Sequence, residues 1–98
     1  ADVKTWTEWM MANMPGADRN DSLSAAGYSF AQTIEQVLRQ CGDNLTRENI
    51  MKQAANLKDF RVGLLLPNSR INTSPTDYRV VTYMQLQRFN GTSWDDVK

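Results

Sequence analysis

The side chains with chemistry to offer are few. The sequence holds one thiol, Cys41, one adjacent carboxylate pair, Asp95–Asp96, and no histidine. Without His it lacks the commonest general base at neutral pH and the commonest metal ligand, so no Ser/His/Asp or Cys/His constellation exists. A lone cysteine allows no internal disulfide and no cysteine-based zinc cluster. Cys41 falls on the apolar side of a helical pattern, which favours a buried structural thiol over a reactive one. Asp95–Asp96 follow an expected hairpin and read as solvated surface charge rather than a catalytic dyad. Asp18 and Asp21 lack the alternate oxygen ligands and terminal Glu of a calcium loop. Asn20, Asn44, Asn72 and Asn90 each open an Asn-X-Ser/Thr triplet. Asn90 is better explained by a turn and Asn44 by helix capping, so glycosylation is not read from them. No Gly-rich phosphate loop is present. The expectation is therefore no catalytic residue, no metal site, no cofactor and no enzyme activity.

The elements that carry these residues are helical first. The longest is Asp21–Gly42, DSLSAAGYSFAQTIEQVLRQCG. Leu23, Ala26, Phe30, Ile34, Val37, Leu38 and Cys41 recur at three- and four-residue steps and predict one buried face. Ser24, Gln32, Glu35, Gln36, Arg39 and Gln40 fall on the opposite, solvated side. Asp21 or Ser22 is placed to cap the first turn and Gly42 to end the last. Gly27 sits mid-helix, tolerated either for close backbone packing or at a cost of about 1 kcal/mol relative to Ala.

Asp2–Met14 predicts a first helix, with Val3, Trp6, Met10 and Met14 as its apolar stripe, widened by Trp9, and Pro15–Gly16 as its stop. Plain core packing is the favoured role for its Trp and Met residues. PGADRN, residues 15–20, is a turn-rich linker. Thr46 is the expected N-cap of a third helix, with Glu48 in its first turn and a Leu45–Ile50 staple. Ile50, Met51, Ala54 and Leu57 form its inward stripe, leaving Arg47, Lys52, Gln53 and Asn56 to solvent.

After Leu57 the pattern shortens. Val62–Leu66 reads as a buried strand, and Ile71 as a brief pairing residue. Arg79–Phe89 alternates, with Val80, Thr82, Met84 and Leu86 on one side, and predicts a longer strand. Asn90–Gly91 signals a two-residue hairpin turn, with Thr92–Val97 returning and Trp94 packing across the pair. A single hairpin is marginal alone, so this strand section is expected to lack the rest of its sheet.

With 98 residues, 41% of them hydrophobic and 22% charged, the composition suits one small globular domain. Lys and Arg balance Asp and Glu and lie scattered, so no basic stripe tracks a phosphate backbone, and nucleic acid is not the expected partner. The sequence shows neither an apolar run long enough for a membrane span nor a signal-peptide pattern. It opens on Ala1 rather than Met, and is expected to be a processed chain or a piece of a longer one.

Taken together, the run PGADRNDSLSAAGYSFAQTIEQVLRQCGDNLTRENIMKQAANLKDF and the later INTSPTDYRVVTYMQLQRFNGTSW resemble a known family. A helix ending in Pro-Gly, a Gly-Tyr helix, an LTRENI helix start, an INTSPTDY loop and a strand closing on Phe89, Gly91 and Trp94 follow in order. They are similar to the C-terminal segment of bacterial periplasmic substrate-binding proteins of the branched-chain amino acid (Leu/Ile/Val) ABC transporter family.

The resemblance implies an α/β fold, the C-terminal part of a two-lobed type I periplasmic binding protein. Residues 1–57 would belong to one lobe, 58–66 would cross the hinge, and 67–98 would complete the other lobe. It implies an importer component that captures an amino acid or similar small carboxylate and delivers it to a membrane permease. The implied location is the periplasm. Most of the family's ligand contacts lie upstream of this segment, so the ligand-binding residues stay unknown and none is carried over; Tyr28 and the Ser74–Tyr78 loop are the polar groups to follow. The alternative expectation is a small standalone module that forms a homodimer through the Trp6/Trp9/Met10 face or through strand edges.

Overall fold

Capping chemistry sets the helix boundaries. The computed structural model describes residues 2–98 and places α1 at Asp2–Asn13, α2 at Ser22–Cys41 and α3 at Arg47–Ala54. Asp21 is extended, and its carboxylate accepts from the Leu23 N–H at 2.9 Å, so α2 starts there. Thr46 does the same for α3, its hydroxyl accepting from the Asn49 N–H at 3.2 Å. Gly42 closes α2 with φ +58°, a backbone state that L side chains disfavour. Two short strands follow, β1 (Gln87–Phe89) and β2 (Trp94–Asp96), paired antiparallel with Phe89 opposite Trp94. The molecule is thus a mixed structure of three helices and a two-stranded antiparallel sheet. Among the described residues no helix is long and apolar enough to cross a membrane.

The core lies where α2, α3 and the segment after α3 meet. Val37, Leu57, Val62 and Ile71 are buried together, with Ile50, Ala54, Phe60 and Leu65 packed around them. α1 adds Trp6 and Met10, both buried, and an ion pair between Asp2 and Arg61 at 2.7 Å ties its start to the segment after α3. That pair is half-exposed, so it orients α1 more than it stabilises it.

One hydroxyl joins the helical part to the later chain. Thr73 Oγ1 donates to the Ala54 carbonyl at 2.6 Å, at the last residue of α3. The same oxygen accepts from the Leu57 N–H at 2.9 Å, while the Thr73 N–H donates to the Leu57 carbonyl at 2.9 Å. Next along, Asp59 N–H donates to Asn72 Oδ1, and Phe60 and Ile71 exchange both backbone hydrogen bonds. Residues 57–60 therefore run antiparallel to 71–73, with Ile71 pairing as expected.

The α2–α3 seam is polar where the pattern predicted solvent. Gln36 Nε2 donates to Gln40 Oε1, Gln40 Nε2 to Gln53 Oε1, and Gln53 Nε2 to Asn49 Oδ1. Gln36, Gln40 and Gln53 are half-buried in consequence. A chain of amides is self-complementary because each group carries both donor and acceptor.

Several expectations are corrected. Val62–Leu66 is not a strand: it folds into successive turns, with Leu65 N–H reaching the Val62 carbonyl and Ser69 N–H the Leu66 carbonyl. Gly63 and Pro67 favour turning, and no strand lies alongside to pair with it. Of Arg79–Phe89 only Gln87–Phe89 forms strand, extended by one hydrogen bond from the Val97 N–H to the Leu86 carbonyl at 2.9 Å, because β2 is three residues long and the chain ends at Lys98 in this sequence. The hairpin turn is centred on Gly91–Thr92, one residue later than expected. Asn90 N–H donates to the Ser93 carbonyl, and its side-chain Oδ1 accepts from the N–H groups of Thr92 and Ser93. Gly91, at φ +104°, takes the first central position.

The apolar stripe of α2 is split. Val37 and Cys41 are buried, but Leu23, Phe30, Ile34 and Leu38 lie exposed along the helix. Val3 on α1 and Met14 just after it are likewise exposed, as are Leu45 and Met51 around α3. The radius of gyration is 16.2 Å. A compact domain of this length has about 13 Å, so the chain is open rather than closed around its apolar groups.

Two substitutions test these assignments. A Cβ at Gly27 would meet no atom within 4 Å, so the glycine is not there for close packing. Gly27→Ala is expected to raise stability in urea by about 0.5–1 kcal/mol; a loss instead would mean that this face is covered. Thr73→Val leaves the Leu57 N–H without its acceptor and the Ala54 carbonyl without its donor, and is expected to cost about 1–3 kcal/mol. An unchanged urea midpoint would show that the Thr73 hydroxyl is not the joint.

Candidate functional site

The reactive side chains do not converge. Asp95 and Asp96 are neighbours on β2, so their side chains point to opposite faces of the hairpin. Asp96 accepts from Gln87 Nε2 at 2.8 Å and Asp95 from Asn90 Nδ2 at 3.0 Å. Cys41 is buried at the end of α2, in the place its pattern predicted. Among the described residues no group of three His, Cys, Asp or Glu side chains is placed to hold a metal ion.

Tyr28 and the Ser74–Tyr78 loop line separate grooves. Tyr28 packs against Trp9 with ring centroids 5.3 Å apart and planes tilted by 58°. The pair walls a groove of about 500 Å³ between α1 and α2, completed by Met14, Leu23, Gly27 and Glu35. Such tilted pairs contribute about 0.5–1.5 kcal/mol beyond burial, and this one joins α1 to α2.

The Ser74–Tyr78 loop is a tight turn in which Ser74 and Asp77 exchange both backbone hydrogen bonds. Asp77 accepts from Arg79 three times, from its backbone N–H, Nε and Nη2, at 3.1, 3.0 and 2.9 Å. The loop thereby presents Tyr78 outward, at the edge of a second depression. That depression is a trough along α2. One part, about 310 Å³, lies between Leu38, Met51 and Tyr78; the next, about 210 Å³, lies between Phe30, Leu65 and Val81. Ile34, Thr33 and Val80 belong to both, and no charged side chain lines either. The lining of both parts is mostly apolar.

Compared with protein-family models, with curated proteins and with solved structures, the chain matches none.

The pattern along α2 located the apolar residues of the trough but not that they stay uncovered. Thr73 and the glutamine chain were missed because hydroxyl and amide side chains read as solvent-facing. Their one local signal is position: Gln36 and Gln40 each precede a buried residue, Val37 and Cys41.

The Asp77–Arg79 pair carries a pH signature. The Arg79 side-chain hydrogen bonds, then its backbone N–H, hold the Asp77 carboxyl down from 3.8 to about 2. A depressed carboxylate favours the folded turn fully above pH 3.8, and that contribution is lost as pH falls towards 2. Carbon-13 titration of the Asp77 carboxyl is expected to give a midpoint near 2, moving back towards 3.8 in Arg79→Gln. An unmoved midpoint in the variant would remove Arg79 as the cause.

Proposed function

We propose that the chain is the C-terminal part of a periplasmic substrate-binding component of an ABC importer. In this reading the parent closes two lobes on an amino acid or similar small carboxylate and delivers it to a membrane permease. The observation that carries the reading is the ordered run of motifs from PGADRND through LTRENI and INTSPTDY to FNGTSW. Two structural features support it. The longest helix leaves Leu23, Phe30, Ile34 and Leu38 exposed, as a helix does when the layer it covers is elsewhere in the protein. Residues 80–86, with Val80, Val81, Met84 and Leu86 exposed, have the composition of a strand without its neighbours. In this reading the ligand lies between the lobes and most of its contacts come from the rest of the parent.

The test is a thermal-shift panel on a longer chain that carries this segment at its C-terminus. Leucine, isoleucine, valine, other amino acids and aromatic acids are the probes. A cognate ligand at a hundred times its dissociation constant adds about 2.7 kcal/mol and a clear rise in Tm. No rise with any member of the panel would remove this ligand class.

A second reading is favoured by the exposed apolar surface itself: a module that self-associates. Trp6 and Met10 are turned into the chain's own interior, so the first helix offers Val3, Trp9 and Met11 to a partner, with Met14 just beyond its end. The larger apolar surface belongs to α2 and the segment after Tyr78.

A further inference from the structure

Two complementary surfaces lie side by side. The first is the trough on α2, apolar and uncharged, floored by Phe30, Ile34 and Leu38. The second is the segment between Arg79 and Arg88, VVTYMQLQ, eight residues with no charge. Its first two valines form the lip of the trough of their own chain. The segment then leaves: Met84 is 89% and Leu86 71% exposed. Among the described residues no backbone–backbone hydrogen bond involves residues 80–85. An apolar arm whose one backbone hydrogen bond is at its end, from the Val97 N–H to the Leu86 carbonyl, thus stands beside an apolar trough without a lid.

From this juxtaposition we infer that two copies of the chain associate by reciprocal exchange, the 82–86 arm of each lying in the α2 trough of the other. This rests on the self-association reading, since in the receptor reading the remainder of the parent covers the same face; the dimer is read by sedimentation and the receptor by ligand-induced thermal shift, so either can fail alone. The spacing fits. Met84 and Leu86 are two residues apart, about 7 Å in extended chain. Ile34 and Leu38 are one helical turn apart, about 6 Å along α2. Neither surface contains a charge that pairing would strand. The arrangement is isologous, so it closes at two copies and does not propagate. The arm's backbone groups stay at the open side of the trough, where water satisfies them.

Sedimentation equilibrium over a concentration series tests this on the 98-residue chain. The expected species is twice the 11.2 kDa of one chain. Ile34→Glu places a charge in the trough and Met84→Glu one on the arm. Both positions are exposed in the single chain, so circular dichroism of each variant is expected to match the wild type. Each substitution is expected to weaken the dimer roughly tenfold or more, because it buries an unpaired charge. The deciding sample is an equimolar mixture of the two variants. Reciprocal exchange leaves that pair one intact arm and one intact trough, so a heterodimer returns. A chain that stays monomeric throughout overturns the inference. So does a dimer that ignores Met84→Glu, which would be helix against helix, or one that ignores Ile34→Glu, which would be arm against arm. Failure of the mixture to recover a heterodimer overturns it as well.

Discussion

The Thr73 hydroxyl is the joint on which this structure depends. It satisfies an acceptor at the end of α3 and a donor one turn later, both beside buried Leu57. A helix of eight residues is not stable in isolation, so α3 needs something beyond its own hydrogen bonds. Thr73 supplies it by fixing residues 71–73 against the α3 exit. That contact brings Ile71 and Val62 over Val37 of α2, and the small core exists only once they arrive. The side-chain oxygen, the backbone ladder and the packed cluster thus form one continuous set of contacts.

What was legible in the sequence divides by the range of the interaction that decides it. Helix ends are set within four residues, and Asp21, Gly42 and Thr46 serve as their chemistry predicts. Strands are decided by a neighbour that no local pattern contains. Val62–Leu66 and residues 80–85 have strand composition, yet among the described residues no strand stands beside either to pair with. Gln36, Gln40 and Gln53 show the converse case. A binary reading assigns them to solvent, but amides that satisfy one another are admitted to a helix seam.

The candidate site follows the same division. The residues whose chemistry is intrinsic, Cys41 and Asp95–Asp96, sit as local rules require, one buried and the pair splayed across a strand. The trough depends on which part of the α2 stripe finds a partner. Seven residues predicted a single buried face, and the core reaches only its C-terminal end, at Val37 and Cys41. A core assembled by Thr73 has few elements to cover twenty residues of helix.

This shortage has a direction. Beside the exposed apolar residues spread over α1, α3 and the hairpin, Leu23, Phe30, Ile34 and Leu38 follow one side of α2, and Val80, Val81, Met84 and Leu86 one uncharged segment. An apolar stripe more than about four turns long is stabilising only when it is covered, because each exposed Leu, Ile or Phe forgoes about 1.5–3 kcal/mol of burial. Both functional readings supply that cover, one from the remainder of a two-lobed receptor and one from a second copy. They differ in what the surface is for. In a receptor the α2 face is interior and the binding chemistry lies elsewhere; in a self-associating module the face is itself the site. The lack of a charge anywhere along the trough suits either, since a surface destined for water has no reason to exclude Lys and Glu over that length.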